Sequence, residues 1–485
     1  MSVDSQVITG DMAALERPDS SQPRVALRPL LAHVTIEHVI WGSLILLAAL
    51  TRFWELGDKA LHHDESLHAY YSYKWATGGI YEHDPLMHGP LLFFLNAFVY
   101  IIFGATDATS RYAPAFTGIL IVAMPWFLRK PQFLGRWGAL ATSALLLISP
   151  TILYQSRYIR HDVYTVAGVF MMFICLMRYI DKPERKWLVT LGITTAMMLA
   201  NHEIIVANIF IFGSFLYAAL LLERLRSWWP TARDLVLSII GLHIFAVAAM
   251  AGLALFMPST YKDRFLNIPW DRDGTDSLPP TRTNQFNYYQ DMATNWLIVG
   301  LVVIAVGFVV ALVYLMRSHK RLSRTNEGWL DTAPDNTVAS SLRAIAQDSR
   351  GVLLMFGLFL FTFVFLFTSI FTNWYGIFTS TVATDGTFLY WLGQHDVRRG
   401  DQPWFYFLVM LPQYEFLPIT IGAGLAVLSA WRGLRLLVTG EGGGRNLMFR
   451  LCLGYWFFLI FAVLSWAGEK MPWLIVHITL PGTIL

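Results

Sequence analysis

Residues 90–104 read PLLFFLNAFVYIIFG, fifteen residues without a charge, and the placement of this run decides the architecture. A straight helix needs about 20 residues to cross a hydrocarbon core of about 30 Å. The run is therefore either a short span or a helix lying at the membrane interface. Cytoplasmic loops of membrane proteins carry an excess of Lys and Arg, and this rule arbitrates. If 90–104 does not cross and the N-terminus is cytoplasmic, the cytoplasmic loops are 129–136, 178–186, 223–233, 316–350 and 431–450, with 20 Lys and Arg. The opposite loops, 154–162, 201–203, 258–294, 373–404 and 468–470, carry 9. A crossing would exchange the two sets. The interfacial placement is the one to expect.

Outward from this run the chain is apolar almost throughout. Of 485 residues, 55% are apolar and 14% charged, against about 25% charged in a typical soluble domain. That excludes a soluble enzyme, a disordered protein and a nucleic-acid binder, and a net charge of +3 suggests no polyanionic partner. Cys175 and Cys452 both sit inside apolar runs, so neither a disulfide framework nor a cysteine metal site is expected. Spans are expected at 35–53, 112–128, 137–153, 163–180, 187–200, 204–222, 233–257, 295–316, 351–372, 406–430 and 447–467. The run from 472 ends at Leu485, too short for a span, and suggests a chain that continues. The expected fold is all-α: a polytopic integral membrane protein of about 12 transmembrane helices, with interfacial helices in a first outer loop, 54–111.

Residues 1–34 are expected to be a polar cytoplasmic tail with no signal-peptide pattern. Residues 35–485 then form one multi-span domain. Within it, 317–350 reads as a flexible cytoplasmic loop. Gly440, Gly442, Gly443 and Gly444 read as a turn, lacking the Lys-Ser/Thr of a phosphate loop.

The interfacial placement puts four polar clusters on the same, extracytoplasmic side. The first is His62-His63-Asp64-Glu65, ahead of Leu67, Tyr70, Tyr71 and Trp75 at helical spacing, so 66–77 is expected to be an amphipathic helix on the membrane. The bland alternative is that Asp64 only caps that helix. The second is Arg157 to Asp162, RYIRHD, where Arg157 and Arg160 are expected to share a helix face. Its bland alternative is a snorkelling pair beside a cap. The third is Asn201-His202-Glu203 in a tight connection, with no second His to make a zinc-protease motif. The fourth is Glu469-Lys470 ahead of Pro472. Acids at the membrane edge, rather than at its midplane, favour chemistry on a lipid-borne substrate.

Taken together, the acidic pair after the first span, Asp84-Pro85, His88-Gly89-Pro90, Phe103-Gly104, Arg111, Ser156-Arg157, Arg160-His161-Asp162 and Glu469-Lys470-Met471-Pro472-Trp473 resemble the C-type membrane glycosyltransferases. These include the protein O-mannosyltransferase and aminoarabinose-transferase families. Within them the chain is most similar to a prokaryotic family associated with flippase activity in glycosylation. One departure is His88-Gly89-Pro90, where mannosyltransferases commonly carry Pro-Pro-Leu.

The resemblance implies a plasma-membrane enzyme that moves a sugar from a polyprenyl-phosphate carrier to a glycan, lipid or protein acceptor on the outer face. Asp64 is then expected as the main catalytic carboxylate, with Glu65 and Asp162 supporting it as orienting groups or metal ligands. Arg157, Arg160 and Lys470 would bind the donor phosphate, with His161, His202, Glu203 and Glu469 in support. A divalent metal, Mg or Mn, could sit on Asp64, Glu65 and Asp162. A transporter or flippase component for lipid-linked glycans, and a scaffold whose acids only cap helices, are the competing functions.

Overall fold

The computed structural model describes residues 35–228, 233–256, 296–322, 334–381, 383, 386–393, 400–439 and 446–485. The expected tail 1–34, the loop 258–294, the segment 323–333 and the glycine turn at 440–444 lie outside the described residues. Among those described there is no strand; the chain is a polytopic, all-helical membrane protein.

The first helices are α1 (Ile36–Phe53), α2 (His63–Ala76), α3 (Leu91–Phe103), the single turn α4 (Asp107–Ser110), α5 (Tyr112–Ala123), α6 (Gly135–Ile148) and α7 (Pro150–Gln155). There follow α8 (His161–Asp181), α9 (Arg185–Leu199), α10 (Ile204–Trp228), α11 (Arg233–Phe256) and α12 (Trp296–Leu322). The last are α13 (Val338–Gln347), α14 (Ser349–Phe367), α15 (Thr387–Gly393), α16 (Tyr406–Thr439), α17 (Leu447–Trp466) and α18 (Ile475–Ile484). Seven of them are long and apolar enough to cross a membrane, and further apolar helices are shorter.

Residues 1–43 and 44–485 form two compact units. The described part of the first is the start of α1. In the second, α8 is the central element: 83% of its span is buried, against 22% for α14. It packs on α5, α9 and α18, while α9 packs on α14 and α16 on α17 and α18. Helices in lipid gain little from removing apolar area, because the solvent is itself apolar, so close approach decides which pairs form. Gly422 of α16 shows this: a Cβ there would lie 2.3 Å from the Gly482 carbonyl oxygen of α18.

At 13 residues, α3 is about 20 Å long, well short of a bilayer core. Leu92, Phe93 and Asn96 are buried, while Phe98, Ile101, Ile102 and Phe103 stand exposed on the other side. Such a one-sided apolar helix suits an interfacial position.

Three local expectations are corrected. Residues 137–153 do not form one helix: Ser149-Pro150 breaks it, with Ser149 capping α7 through a bond to the Ile152 amide (3.2 Å). The 317–350 loop is folded where described, since α12 runs to Leu322 and α13 occupies Val338–Gln347. The Glu223 carboxylate, from α10, accepts the first two amides of α13, Val338 and Ala339, both at 3.1 Å. Finally, 406–430 is kinked, with Glu415 at non-helical φ/ψ between Pro412 and Pro418.

Candidate active site

The site begins with the start of α2. Its N-cap is His62, not Asp64: His62 Nδ1 accepts the Asp64 amide, and Glu65 Oε2 accepts the His62 amide at 3.0 Å. This reciprocal capping box frees the Asp64 carboxylate from helix duty. The helix also faces the opposite way from an ordinary amphipathic one. Its buried stripe carries Glu65, His68 and Ser72 with only the small Ala69 apolar, while Leu67, Tyr70 and Tyr71 stand outward.

Asp64 and Asp162 are brought together by one guanidinium. Arg160 gives Nη1 to Asp64 (2.5 Å) and Nε to Asp162 (3.2 Å), and its Cζ lies 3.8 Å from the Trp473 ring centre. Asp162, at the start of α8, also receives His477 Nε2 from α18 at 3.0 Å. The two carboxylates differ in access, with 32% of the Asp64 side chain exposed against 1% for Asp162. Arg160 Nη2 has no partner among the described residues.

Glu65 is engaged by an arginine. It is buried and takes Arg111 in a two-pronged bond (Nε–Oε1 2.8 Å, Nη2–Oε2 2.7 Å), while Oε1 also accepts the Ile159 amide at 3.2 Å. Arg111 in turn donates to the Leu56 and Lys59 carbonyls. Glu65 therefore fastens the loop before α2 to α5 and to the turn before α8.

The expected helix-face setting of Arg157 is corrected. It lies in the turn after α7 rather than on a helix face with Arg160, and it donates to the carbonyls of Thr51 (2.8 Å) and Glu55 (3.4 Å) at the end of α1. Lys470 is buried and donates to the Ala467 carbonyl at 2.7 Å. Glu469 precedes it in the same connection between α17 and α18.

The carboxylates expected to hold Mg or Mn are engaged by arginines. Arg160 already stands between Asp64 and Asp162, and both Glu65 oxygens are turned onto Arg111.

A second constellation adjoins the first. His161, buried, meets the Gly89 carbonyl through Nε2 at 3.1 Å, and its ring lies 5.0 Å from both His68 and His88. His88 Nδ1 reaches Glu203 Oε2 at 2.9 Å, and its ring is sandwiched between His202 (4.4 Å, 18°) and Trp391 of α15 (4.6 Å, 11°). Burial, reinforced by Arg160, lowers His68 to about 3, and burial lowers His202 to about 4, so both are neutral bases at physiological pH. Burial also pushes the Glu203 carboxyl up.

Gly89 explains how the His88-Gly89-Pro90 turn docks here. Its amide and that of Leu91 bond the Asn201 and Ala200 carbonyls (3.0 and 2.8 Å), and a Cβ on Gly89 would lie 2.3 Å from Ala200 backbone atoms. Sequence reasoning missed His68, Trp391 and His477 as members of this assembly, and it quoted Arg111 and Trp473 only as part of the family resemblance.

With this geometry in view, residues 87–250 match the family described as dolichyl-phosphate-mannose-protein mannosyltransferase. The match takes in Arg160 and Asp162, His88, His202 and Glu203, and covers a third of the chain. The chain resembles C-type membrane glycosyltransferases. No curated protein matches its sequence. Among solved structures, it is similar to the archaeal oligosaccharyltransferase AglB from Archaeoglobus fulgidus in complex with an inhibitory peptide and a dolichol-phosphate. The identity is 15%, the TM-score 0.46, and the coverage 92% of this chain and 49% of that one. It is also similar to ArnT from Cupriavidus metallidurans bound to undecaprenyl phosphate (15% identity, TM-score 0.43, 92% and 59% covered). A third is the A. fulgidus oligosaccharyltransferase in complex with Zn and sulfate (14% identity, TM-score 0.44, 92% and 48% covered). The chain spans about half the length of the archaeal enzyme. What those proteins bind is theirs.

Proposed function

We propose that the chain transfers a sugar from a polyprenyl-phosphate donor to an acceptor on the extracytoplasmic face of the plasma membrane. The observation that carries this reading is the shared Arg160. It pairs a closed carboxylate, Asp162, with an open one, Asp64, and keeps one nitrogen to spare. The family match over 87–250, whose description names a lipid-phosphate sugar donor, supports the same class of substrate.

The chemistry follows from the charges. The acceptor heteroatom attacks the anomeric carbon, the carbon–oxygen bond to the carrier phosphate breaks, and the acceptor's proton passes to Asp64. The departing phosphate gathers negative charge, which the unpaired Nη2 of Arg160 and the ammonium of Lys470 would stabilise in a partly dehydrated site. Asp162, held by His477, keeps the guanidinium aimed. Glu65 and Arg111 hold the helix that presents Asp64. Arg157 donates to the end of α1.

The test is transfer from a polyprenyl-phosphate sugar by the purified chain. Asp64→Asn should lower the rate by about 10²- to 10⁴-fold, the usual worth of a positioned base, with donor binding and Tm unchanged. Lys470→Met should weaken donor binding. Full transfer by Asp64→Asn would remove Asp64 from the chemistry, and movement of a fluorescent lipid-linked sugar across vesicles with no transfer at all would overturn the reading in favour of a flippase component.

A further inference from the structure

We propose that His88, His202 and Glu203 form a binding site for a divalent transition metal of the zinc class, separate from the Asp64–Arg160–Asp162 trio. Their ligand atoms all lie within 4.8 Å of one another, and they are the only such group of three among the described residues. Two imidazoles and a carboxylate suit Zn, Co, Ni or Cu over Mg or Mn, which prefer all-oxygen shells. Three protein ligands leave the fourth place of a tetrahedral ion open to water or an anionic oxygen.

The three residues are gathered in advance, and one imidazole turns out of the His88–His202 stack to meet the ion. His202 and Glu203 are neighbours at the corner between α9 and α10, and the Gly89 and Leu91 amides clamp that corner through the Asn201 and Ala200 carbonyls. His88 is held at φ 60°, ψ −150°, a conformation costly for any residue but glycine. Its neighbours fix it there: His83 Nε2 meets its carbonyl at 2.7 Å, and Trp391, bonded to the Pro85 carbonyl at 3.1 Å, covers its ring. The three side chains are only 7% to 15% exposed, so an ion would face few competing waters. At present the His88 Nδ1–Glu203 contact of 2.9 Å occupies the gap. On binding, the ion takes the imidazole lone pair, and any proton on that nitrogen moves to the far ring nitrogen or to solvent. The ion would pin the His88-Gly89-Pro90 turn to the α9–α10 corner, a role that does not depend on the transfer chemistry.

The experiment uses the full chain in nanodiscs, stripped with chelator and reloaded with Zn²⁺ or Co²⁺. About one equivalent should remain after desalting. The Co²⁺ form should show visible d–d bands of a four-coordinate site, and Zn²⁺ should raise Tm. His88→Ala and Glu203→Gln should weaken binding at least tenfold to about a hundredfold, while Asp64→Asn keeps the metal. Should a variant fail to fold, electron paramagnetic resonance of the unmutated chain with Cu²⁺ decides, through splitting from two imidazole nitrogens. Sub-stoichiometric binding, splitting without nitrogen, or metal that survives His88→Ala and Glu203→Gln but leaves with Asp64→Asn would overturn the site. Because every readout is metal content, spectrum or melting temperature and none is transfer, such a failure is distinct from a failure of the transfer reading.

Discussion

Asp64 and Glu65 are adjacent in sequence and opposite in use. Asp64 reaches the edge of the site, whereas Glu65 is buried against Arg111 with both oxygens engaged. Removing one partner of a buried pair strands the other charge, which costs about 3–5 kcal/mol. Glu65→Ala should therefore lower Tm sharply, and its residual activity per folded molecule should stay near that of the unaltered chain. Thermal unfolding alongside transfer assays on the folded fraction checks this; a stable but inactive Glu65→Ala would return Glu65 to the chemistry. That Asp64 and Asp162 belong together was legible in the sequence, because both flank apolar runs that end on one side. That Glu65 does not join them was not legible. Its partner Arg111 stands 46 positions away, and no local pattern ties the two. His202-Glu203 likewise lacked a second imidazole nearby, and the one that completes it comes from His88, 115 residues earlier.

At the scale of elements, periodicity and length located most helices within a few residues, because an apolar run in lipid has little choice but to close its own hydrogen bonds. It failed where a distant side chain intervenes. Residues 406–430 read as one span, yet Glu415 breaks α16 and turns to the start of α7, accepting Ser149 Oγ (2.5 Å), the Thr151 amide (3.1 Å) and Thr151 Oγ1 (2.5 Å). Each buried donor left without an acceptor costs about 1–3 kcal/mol. Glu415→Ala should consequently destabilise the chain well beyond Glu415→Gln, which keeps an acceptor oxygen. Equal melting temperatures for the two would show that the prolines alone set the kink. The segment around α13 misled for the same reason: its amides are anchored by Glu223, far off in sequence.

For the whole molecule, the arrangement in the membrane rests on the charge of the loops and on α3 being too short to cross. Both make one claim about sidedness. Lys182, between α8 and α9, is 71% exposed and falls in a loop expected to be cytoplasmic. Cys175 and Cys452 are buried, so they give little background. A cysteine at position 182 should resist an impermeant thiol reagent in intact cells and react once the membrane is opened. Ready labelling in intact cells would invert the arrangement and carry the Asp64 site to the inner face with it.

The flat stacking of Trp391 on His88 also makes an optical reporter. An indole in contact with a neutral imidazole emits differently from one facing an imidazolium or a paramagnetic ion, because either takes up its excited electron. The chain has 18 tryptophans, but the difference in emission between it and a Trp391→Phe variant isolates this one. That difference spectrum follows the state of His88 in real time, with neither label nor substrate.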